Sequence, residues 1–526
     1  MLGSEQENNT TNLAQFIVKA CESNGDKTAF YCGPAQLTYR QVEEKSRALA
    51  VWFQRYTALQ PGDRIAIQLP NILDFPIVAF AALRAGLVLV NTNPLYTPRE
   101  MLHQCSDSGA KAIVIFSPLA DKLSDIIDET DIEVVVCTSG GELPQINCEK
   151  DINQADLNHA IESCEGASLV PVLVPTDAVC MLQYTGGTTG RAKGACLTHH
   201  SVLSNMAQLD ERLSGVVEPG KEIFVCPLPL YHIYAFAVNL ILFFSQGNAN
   251  ILIPNPRDLD GMVAQIKPHK FTGMAGINTL FVGLCQHQGF RDLDFSHLKI
   301  TVSGGTALID SARLAWKDVT GGNITEGYGM SETSPVISIN HPGNEHYGTV
   351  GQPLIGTTIE IWDVNDSPLA QGEVGQIVVK GAQVMKGYWN NPDETAEVLT
   401  PEGYFKTGDM GMILEDGCIQ IVDRLKDMIL VSGFNVYPSE VEQVLSSHPD
   451  VLEVAVIGVS DLDTGEAVHA YITASERIEL DNVKQFCRQN LTAYKIPKKI
   501  FIVKELPKSA VGKILRRELR DNPKSQ

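Results

Sequence analysis

The chain has 526 residues, of which 44% are hydrophobic and 20% are charged, a composition typical of a folded protein rather than a disordered or fibrous one. This length exceeds the size at which a single hydrophobic core stops growing, so we expect two or more domains. The formal net charge of -21 disfavours nucleic acid as a partner, and an anionic ligand would need locally placed cations or backbone N–H groups.

Targeting and membrane signals are weak in this sequence. The first twelve residues, MLGSEQENNTTN, are polar and acidic, which predicts no secretory signal. Apolar runs such as residues 235–244 are too short to cross a bilayer, so we predict no transmembrane helix. The 12 cysteines form no CxxC pair, which favours reduced thiols in a cytoplasmic protein.

In chain order, helical and strand-like segments alternate through the first part of the sequence. A helical pattern at residues 38–56 is followed by the apolar runs DRIAIQL, GLVLVN, AKAIVIF and IEVVVC, which predict α/β layers with largely parallel strands. Beyond about Glu360, the segments IEIWDV, GQIVVK and CIQIVD indicate a β-rich unit. From Met428 the pattern restarts as a small α+β unit, so we predict domains at 1–425 and 426–526.

A run of glycines, threonines and cations, YTGGTTGRAKG, occupies residues 184–194 directly after an apolar stretch. Glycines let successive N–H groups turn toward one anion, and hydroxyls and a lysine add donors and charge, so the segment predicts a phosphate-binding loop. It lacks the Gly-Lys-Ser/Thr ending of a Walker loop, and no GxGxxG fingerprint is present, which disfavours kinase-like NTPases and NAD enzymes. The alternative is a flexible surface linker.

Four later segments complete a recognisable set: EGYGMSET (326–333), YFKTGDMG (404–411), DRLKDMILVSGFNVYPSEVE (423–442) and PKSAVGKILRREL (507–519). With the glycine-threonine loop, their order and spacing resemble the adenylate-forming superfamily of acyl-CoA synthetases, luciferases and adenylation domains. The connecting text is most similar to bacterial long-chain fatty acid–CoA ligases. This resemblance implies an α/β fold with a large N-terminal domain, made of two α/β subdomains and a β-rich barrel-like subdomain, and a small mobile α+β C-terminal domain.

The resemblance also implies the residues that bind ATP and Mg²⁺. It gives the pyrophosphate side of ATP to the loop residues Thr185, Gly186, Gly187, Thr188, Thr189, Gly190 and Lys193. Thr185 and Glu332 would be catalytic and lie near Mg²⁺, which prefers oxygen ligands. Read alone, Glu332 could be an acid at a helix N-terminus.

The rest of the nucleotide site follows from the same resemblance. Tyr328 would stack on adenine, Asp409 would accept both ribose hydroxyls, and Arg424 would lie beside it. Further contacts to the nucleotide are implied for Gly304, Gly305, Thr306, Gly329, Met330, Ser331 and Ile421. Without the resemblance, Tyr328 could be a core residue, and TGD is more often an ordinary turn.

Three positions near and beyond the domain boundary are implied to serve the reaction. Lys513 would contact the carboxylate of the acid and the α-phosphate, although charge alone favours a solvated basic tail. Lys426 would be the hinge between the domains, because one pocket must serve two steps. Gly433 would line the route of the pantetheine arm of coenzyme A.

For the acid, the segment LPLYHIYAF followed by AVNLILFF resembles an acyl-side wall that contains His232, Tyr234 and Phe236. His232 would be a catalytic residue, and an alkyl tail requires an apolar tunnel. On apolarity alone, these residues are more often plain core. His199 and His200 are predicted to begin a helix behind the phosphate loop.

The sequence therefore predicts an AMP-forming ligase that uses ATP, Mg²⁺ and, as a co-substrate, coenzyme A. The favoured acid is a long-chain fatty acid. A medium-chain, aryl or carrier-protein-directed adenylating enzyme is the alternative within the chemistry. Outside this class, the alternative is an inactive nucleotide-binding regulator. We expect small molecules as partners and no nucleic acid. A homodimer and peripheral contact with the inner face of a membrane remain alternatives.

Overall fold

The computed structural model describes residues 11–138, 142–185, 191–306, 308–475, 478–509 and 514–521. Its strands are β1 Thr28–Cys32, β2 Ala35–Thr38, β3 Arg64–Gln68, β4 Val88–Asn91, β5 Ala110–Ile115, β6 Val134–Cys137, β7 Asn153–Asp156, β8 Val179–Thr185, β9 Lys193–Thr198, β10 Ile223–Cys226, β11 Ala249–Leu252, β12 Gly273–Gly276, β13 Ile300–Ser303, β14 Ile324–Gly329, β15 Val336–Ile339, β16 Gln352–Pro353, β17 Thr358–Trp362, β18 Gly375–Lys380, β19 Phe405–Ile413, β20 Ile419–Arg424, β21 Ile429–Val431, β22 Phe434–Val436, β23 Val451–Asp461, β24 Gly465–Ala474 and β25 Lys499–Ile502.

Helices separate most of these strands. The α-helices are Leu13–Asn24, Tyr39–Tyr56, Asp74–Arg84, Pro98–Ser108, Leu157–Glu162, His199–Leu213, Ile233–Ala235, Leu259–Ile266, Asn278–Gln286, Gln288–Arg291, Asp310–Thr320, Pro392–Val398, Pro438–Ser446, Leu480–Asn490 and Arg516–Asp521. A π-helix spans Phe236–Phe243, and 3-10 turns occupy Ser117–Asp125, Ile127–Glu129, Ser331–Thr333, Leu425–Asp427 and Ala493–Lys495. None of the described helices combines the length and the apolar character that crossing a bilayer requires.

Two large sheets form the body of the N-terminal domain. In the described part of the chain, one has seven strands in the order β7-β6-β5-β3-β4-β8-β9, parallel except for the β8–β9 hairpin. The other has nine strands in the order β16-β15-β14-β13-β12-β10-β11-β1-β2, with parallel pairing from β14 to β1. Strands such as β4 and β6 are buried along their whole length, because helices cover both faces of a parallel sheet. The predicted α/β layers are confirmed.

Side-chain caps fix where several helices begin. Thr38, Thr97 and Thr198 each accept a hydrogen bond from the backbone N–H three residues later, as part of a reciprocal capping box. The cap at Thr198 ends β9 and starts the helix His199–Leu213 directly behind the predicted phosphate loop. His199 is buried, and its Nδ1 accepts from the backbone N–H of Leu13 at 3.2 Å. Burial lowers the pKa of His199 to about 4, so the ring is neutral and structural, as the sequence predicts.

The β-rich unit predicted beyond Glu360 is an antiparallel sheet in the order β17-β18-β19-β20. Backbone hydrogen bonds from Val350 to Ile419 and from Ile419 to Gly351, of 2.8 and 2.9 Å, join its β20 edge to the segment before β16. This junction connects the β-rich unit to the nine-stranded sheet, so residues of both sheets can meet at one site.

The smaller C-terminal domain has its own sheet, in the order β22-β21-β24-β23 with β25 beside β24. Its core is formed mainly by aliphatic side chains on those strands and on the helices Pro438–Ser446 and Leu480–Asn490. The 3-10 turn Leu425–Asp427 connects β20 of the β-rich sheet to β21 of this sheet.

Candidate active site

The β8–β9 hairpin presents the glycine-threonine loop. Thr185 and Lys193 are paired across the two strands, one on each side of the loop that links them. The other predicted phosphate-binding residues of the loop, Gly186, Gly187, Thr188, Thr189 and Gly190, lie outside the described residues.

A buried carboxylate lies next to this hairpin. Glu332, 7% exposed, is on the turn Ser331–Thr333, and its Oε1 accepts from the hydroxyl of Tyr388 at 2.8 Å. Lys193 forms an ion pair with Glu394, and its Nζ lies 5.3 Å from the centre of the Tyr388 ring. Burial raises the pKa of Glu332, opposed by the Tyr388 hydrogen bond and the charge of Arg424. Tyr388 therefore links the predicted phosphate-side lysine to the predicted Mg²⁺ ligand.

A second group joins the nine-stranded sheet to the β-rich unit. The hydroxyl of Tyr328 donates to Oδ2 of Asp409 at 2.6 Å, and Nε of Arg424 lies 3.3 Å from Oδ1 of the same carboxylate. Asp409 and Arg424 face each other in the β19–β20 pairing, so strand register fixes their contact. Burial raises the pKa of Tyr328, which keeps its hydroxyl protonated as the donor. The structure thus brings the three residues predicted for adenine and ribose into one hydrogen-bonded group.

Glycines keep the space beside Tyr328 open. A Cβ on Gly304 would lie 3.1 Å from the Tyr234 ring, and one on Gly329 would lie 2.0 Å from the carbonyl oxygen of Pro335. Gly305 has a φ of +83°, a conformation that L side chains rarely adopt. A Cβ on Gly329 would overlap backbone, a side chain on Gly305 would be strained, and one on Gly304 would require a small shift of the Tyr234 ring.

An apolar cavity extends from this group into the domain. Its polar end is formed by residues predicted for the nucleotide or the acid, namely Gly304, Gly305, Tyr328, Gly329, Met330, His232 and Tyr234. Its apolar end includes Leu209, Leu213, Phe224, Val238, Phe243, Met274, Ala275, Ile300 and Ile339. A single cavity therefore joins the predicted adenylate site to a hydrophobic interior that an alkyl chain could enter.

The structure corrects one residue of the predicted acyl-side wall. Phe236 is fully buried in the core and is not among the residues that line the cavity, whereas Val238, Asn239 and Phe243 are. Phe236 is the first residue of the π-helix Phe236–Phe243, whose side chains are all buried. His232 lines the cavity, and its Nδ1 accepts from the backbone N–H of Tyr234 at 3.3 Å at the start of the preceding helical turn.

The remaining predicted positions lie around these groups. Thr306 follows Gly305 after β13, Ser331 begins the turn that carries Glu332, and Ile421 is on β20 three residues before Arg424. Lys426 lies in the turn Leu425–Asp427 between β20 and β21. Gly433, with a φ of +85°, forms the tight turn between β21 and β22, and a Cβ there would meet open space.

Lys513 lies outside the described residues, but both sides of its segment are placed. Ile514 forms a β-bridge with Lys508. Arg516 binds Glu442 at 2.6 Å and Asp427 at 3.2 Å, and Arg520 binds Asp427 at 2.7 Å. The C-terminal helix Arg516–Asp521 is thereby fixed to the turn Leu425–Asp427.

Sequence reasoning missed several residues of this site. Tyr388 and Glu394 come from a connection between β18 and β19 that carries no motif, and Tyr184 is held by its hydroxyl, which donates to Asp107 at 2.5 Å. The sequence offered no signal for these contacts, because each joins residues far apart along the chain.

Glu326, at the start of the EGYGMSET segment, gives a prediction about stability. Burial raises the pKa of its carboxyl to about 7, and its Oε1 accepts from the backbone N–H of Leu308 at 2.9 Å. Between about pH 4.5 and 7 the folded protein holds a proton that the unfolded chain has released, so stability is lost as pH rises through this window. A glutamine keeps the acceptor and removes the titration.

We expect Glu326→Gln to raise the melting temperature relative to the original protein by an amount that grows from pH 5 to pH 7 and is then constant. The pKa of Glu326 is about 7 in the folded protein and 4.5 for an ordinary glutamate. This shift makes the full difference in unfolding free energy between Glu326→Gln and the original protein on the order of 3 kcal/mol. Thermal melts followed by circular dichroism at several pH values test this. A difference that is the same at every pH would contradict it.

Comparisons with known proteins agree with this geometry. The sequence pattern of the AMP-binding enzyme family matches residues 17–389, and that of the AMP-binding enzyme C-terminal domain matches residues 440–513. A long-chain-fatty-acid–CoA ligase of Salmonella typhimurium is 41% identical over 98% of this chain and 95% of its own length, and one of Bacillus subtilis is 36% identical over 96% and 94%. The crystal structure of ATP-bound MatB from Rhodopseudomonas palustris superposes with a TM-score of 0.86 at 26% identity and covers 98% of this chain and 99% of its own.

The two matched regions together span most of the chain and occur in the order that the motifs predict. The superposition confirms the mixed α/β fold with a large N-terminal and a smaller C-terminal domain. This protein belongs to the AMP-binding enzyme family.

Proposed function

We propose that this enzyme converts a long-chain fatty acid and ATP into acyl-AMP and pyrophosphate, and then uses coenzyme A to release acyl-CoA and AMP. The relatives named long-chain-fatty-acid–CoA ligase, at 36% and 41% identity over nearly the whole chain, support this substrate class. The observation that carries the proposal is the cavity that continues from Tyr328 and Gly304 into an apolar interior. An acid bound there would have its carboxylate at the nucleotide and its tail among aliphatic side chains.

In this proposal the nucleotide is held by the groups already described. The carboxylate of Asp409 accepts the two ribose hydroxyls, since its two oxygens match paired donors. Tyr328 and Arg424 orient that carboxylate by their contacts of 2.6 and 3.3 Å. Lys513 would lie between the carboxylate of the acid and the α-phosphate, where a cation offsets the repulsion of two anions.

A divalent cation fits the oxygen donors beside the hairpin. Glu332 is a buried carboxylate whose Oε1 accepts from Tyr388, and buried carboxylates are stabilised by a cation ligand or partner. We assign Mg²⁺ to Glu332 and the hydroxyl of Thr185. The ion would neutralise the charge of the phosphates when ATP is bound.

We further propose that 1–425 and 426–526 are separate domains that rotate about Lys426 between the two half-reactions. The change of sheet between β20, which ends at Arg424, and β21, which begins at Ile429, supports this boundary. In the second half-reaction, Gly433 would lie beside the pantetheine arm, where its lack of a side chain leaves room. A cytoplasmic location follows for an enzyme that consumes ATP and coenzyme A.

The test is acid-dependent exchange between ATP and pyrophosphate, measured with hexanoate, octanoate, palmitate, oleate and benzoate, with and without coenzyme A. Each additional CH₂ buried in the cavity contributes about 0.8 kcal/mol, so kcat/KM should rise about fourfold per CH₂ until the cavity is filled. Palmitate or oleate should be the best substrate, and coenzyme A should convert exchange into net AMP release. Preference for benzoate or hexanoate, or AMP release without coenzyme A, would contradict the proposal.

A further inference from the structure

A cluster of three potential metal ligands lies where the β-rich unit meets the segment between β15 and β16, apart from the residues assigned to ATP and Mg²⁺. It consists of His346, Asp416 and Cys418, and one ligand atom of each lies within 4.8 Å of the others. Nδ1 of His346 is 2.7 Å from Oδ2 of Asp416, and both side chains are 48% exposed. Cys418 is nearly buried, with 7% of its surface exposed. We call this group the His346–Asp416–Cys418 cluster.

The backbone around the cluster is held by hydrogen bonds on both sides. On one side, the backbone N–H of His346 donates to Oδ1 of Asn340 at 3.0 Å, and the Thr349 hydroxyl donates to the His346 carbonyl at 2.7 Å. On the other, Nε2 of Gln352 donates to the Asp416 carbonyl at 2.7 Å. Fixed backbone on both segments means that little reorganisation is needed for the side chains to act together.

Asp416 is also oriented within the cluster. Its Oδ1 accepts from the backbone N–H of Cys418 at 3.0 Å, which leaves Oδ2 on the side of His346. Metal ligands that are oriented by such outer hydrogen bonds bind more tightly than free ones. The spacing of Asp416 and Cys418, two residues apart on one turn, makes them a chelating pair that faces a histidine from another segment.

The donor set selects the kind of cation. A thiolate, an imidazole nitrogen and a carboxylate oxygen suit Zn²⁺, whereas Mg²⁺ and Ca²⁺ prefer oxygen alone. In a tetrahedral zinc site with metal–ligand distances of about 2.0 to 2.3 Å, the ligand atoms are roughly 3.3 to 3.8 Å apart. The His346–Asp416 pair would open by about half an ångström from its present 2.7 Å, which two half-exposed side chains allow.

We propose that the His346–Asp416–Cys418 cluster is a binding site for Zn²⁺ or a cation of similar softness. Nδ1 of His346, Oδ2 of Asp416 and Sγ of Cys418 supply three ligands, and water supplies the fourth. The Cys418 thiol loses its proton to solvent when the metal–sulfur bond forms. No electron transfer is involved.

The position of the cluster gives the metal a structural effect near the nucleotide site. His346 follows β15 and is bonded to Asn340, whose Nδ2 donates to the Glu326 carbonyl of β14 at 3.3 Å. Cys418 directly precedes β20, which ends at Arg424. A bound cation would therefore clamp together the two sheets that carry Tyr328 and Asp409, and it would stabilise the folded protein by an amount that grows with the logarithm of the metal concentration above its dissociation constant.

The experiment uses the full-length protein, first stripped with a chelator, and Co²⁺ as a spectroscopic substitute for Zn²⁺. Tetrahedral Co²⁺ with a thiolate ligand gives visible d–d bands and a sulfur-to-metal charge-transfer band. We expect these bands to saturate at one equivalent and to disappear on addition of Zn²⁺. Cys418→Ser should abolish the charge-transfer band, and His346→Gln should weaken Zn²⁺ affinity at least about tenfold, as loss of a metal-site group typically does.

Cys148→Ser is the matched control, because Cys148 is a partly exposed cysteine outside the cluster, and its replacement should change nothing. Without metal, all variants should melt close to the original protein. At one fixed Zn²⁺ concentration, the melting temperature should rise fully in the original and the Cys148 variant and by clearly less in the two cluster variants. Retention of the charge-transfer band in Cys418→Ser, or equal Zn²⁺ affinity in His346→Gln, would overturn the proposal. None of these readouts uses ligase activity, so the result is independent of the proposed function.

Discussion

Lys513→Ala is expected to slow acyl-adenylate formation by about 100- to 1,000-fold, the cost typical of removing one electrostatic contact to a transition state. Thioester formation from a supplied acyl-adenylate should be largely retained. In the first half-reaction a carboxylate must approach the α-phosphate, and a cation between them offsets their repulsion. In the second, a thiol attacks a carbonyl that is already activated, and that repulsion has gone.

The chain supplies a matched control for this experiment in Lys508. It lies five residues before Lys513 in the same basic segment, but its Nζ is paired with Oε1 of Glu453 at 2.5 Å. Lys508→Ala removes one positive charge from the same segment and should leave both half-reactions close to those of the original enzyme. ATP–pyrophosphate exchange measures the first half-reaction, and consumption of synthetic acyl-adenylate by coenzyme A measures the second. Equal loss of both rates in Lys513→Ala, or the same loss in Lys508→Ala, would show that only the general charge of the segment matters.

Local patterns predicted the layers of the fold but not how the layers pair. Runs such as VLVN and VVVC indicate buried parallel strands, and β4 and β6 are buried throughout. Nothing local indicates that β1, near the N-terminus, pairs with β11, more than 200 residues later. That pairing depends on the packing of the whole domain, because the β1 sequence would fit many buried parallel edges.

The same limit applies to the active site. Tyr328, Glu332 and Asp409 were predicted because they lie in segments that resemble motifs of the adenylate-forming superfamily, and the structure places Tyr328 and Asp409 in contact. Tyr388 contacts Glu332 just as directly but lies in an ordinary loop, so its role exists only after folding. Phe236 shows the opposite case, since its apolar segment was recognised but its side chain is fully buried in the core.

Asp409→Asn tests whether the Tyr328–Asp409–Arg424 group binds ATP. Asparagine keeps the size of the side chain but loses the charge that faces Arg424 and one of two hydrogen-bond acceptors. Hydrogen bonds to a charged group contribute about 1.5 to 3 kcal/mol each, so the KM for ATP should rise about 10- to 100-fold. The KM for the fatty acid should stay near its original value, because the apolar end of the cavity is unchanged.

Tyr328→Phe separates orientation of the carboxylate from direct binding. It removes only the hydroxyl that donates to Asp409 at 2.6 Å and keeps the ring beside the predicted position of adenine. The lost hydrogen bond orients the Asp409 carboxylate and does not itself contact ATP, so the KM for ATP should rise by less than in Asp409→Asn. If Asp409 contacts the ribose, Asp409→Asn must lower the reaction rate at low ATP more than Tyr328→Phe does. Saturating ATP must restore most of the rate of both variants. An equal effect of both variants, or a rise in the KM for the acid alone, would instead make Asp409 a support for the Tyr328 ring.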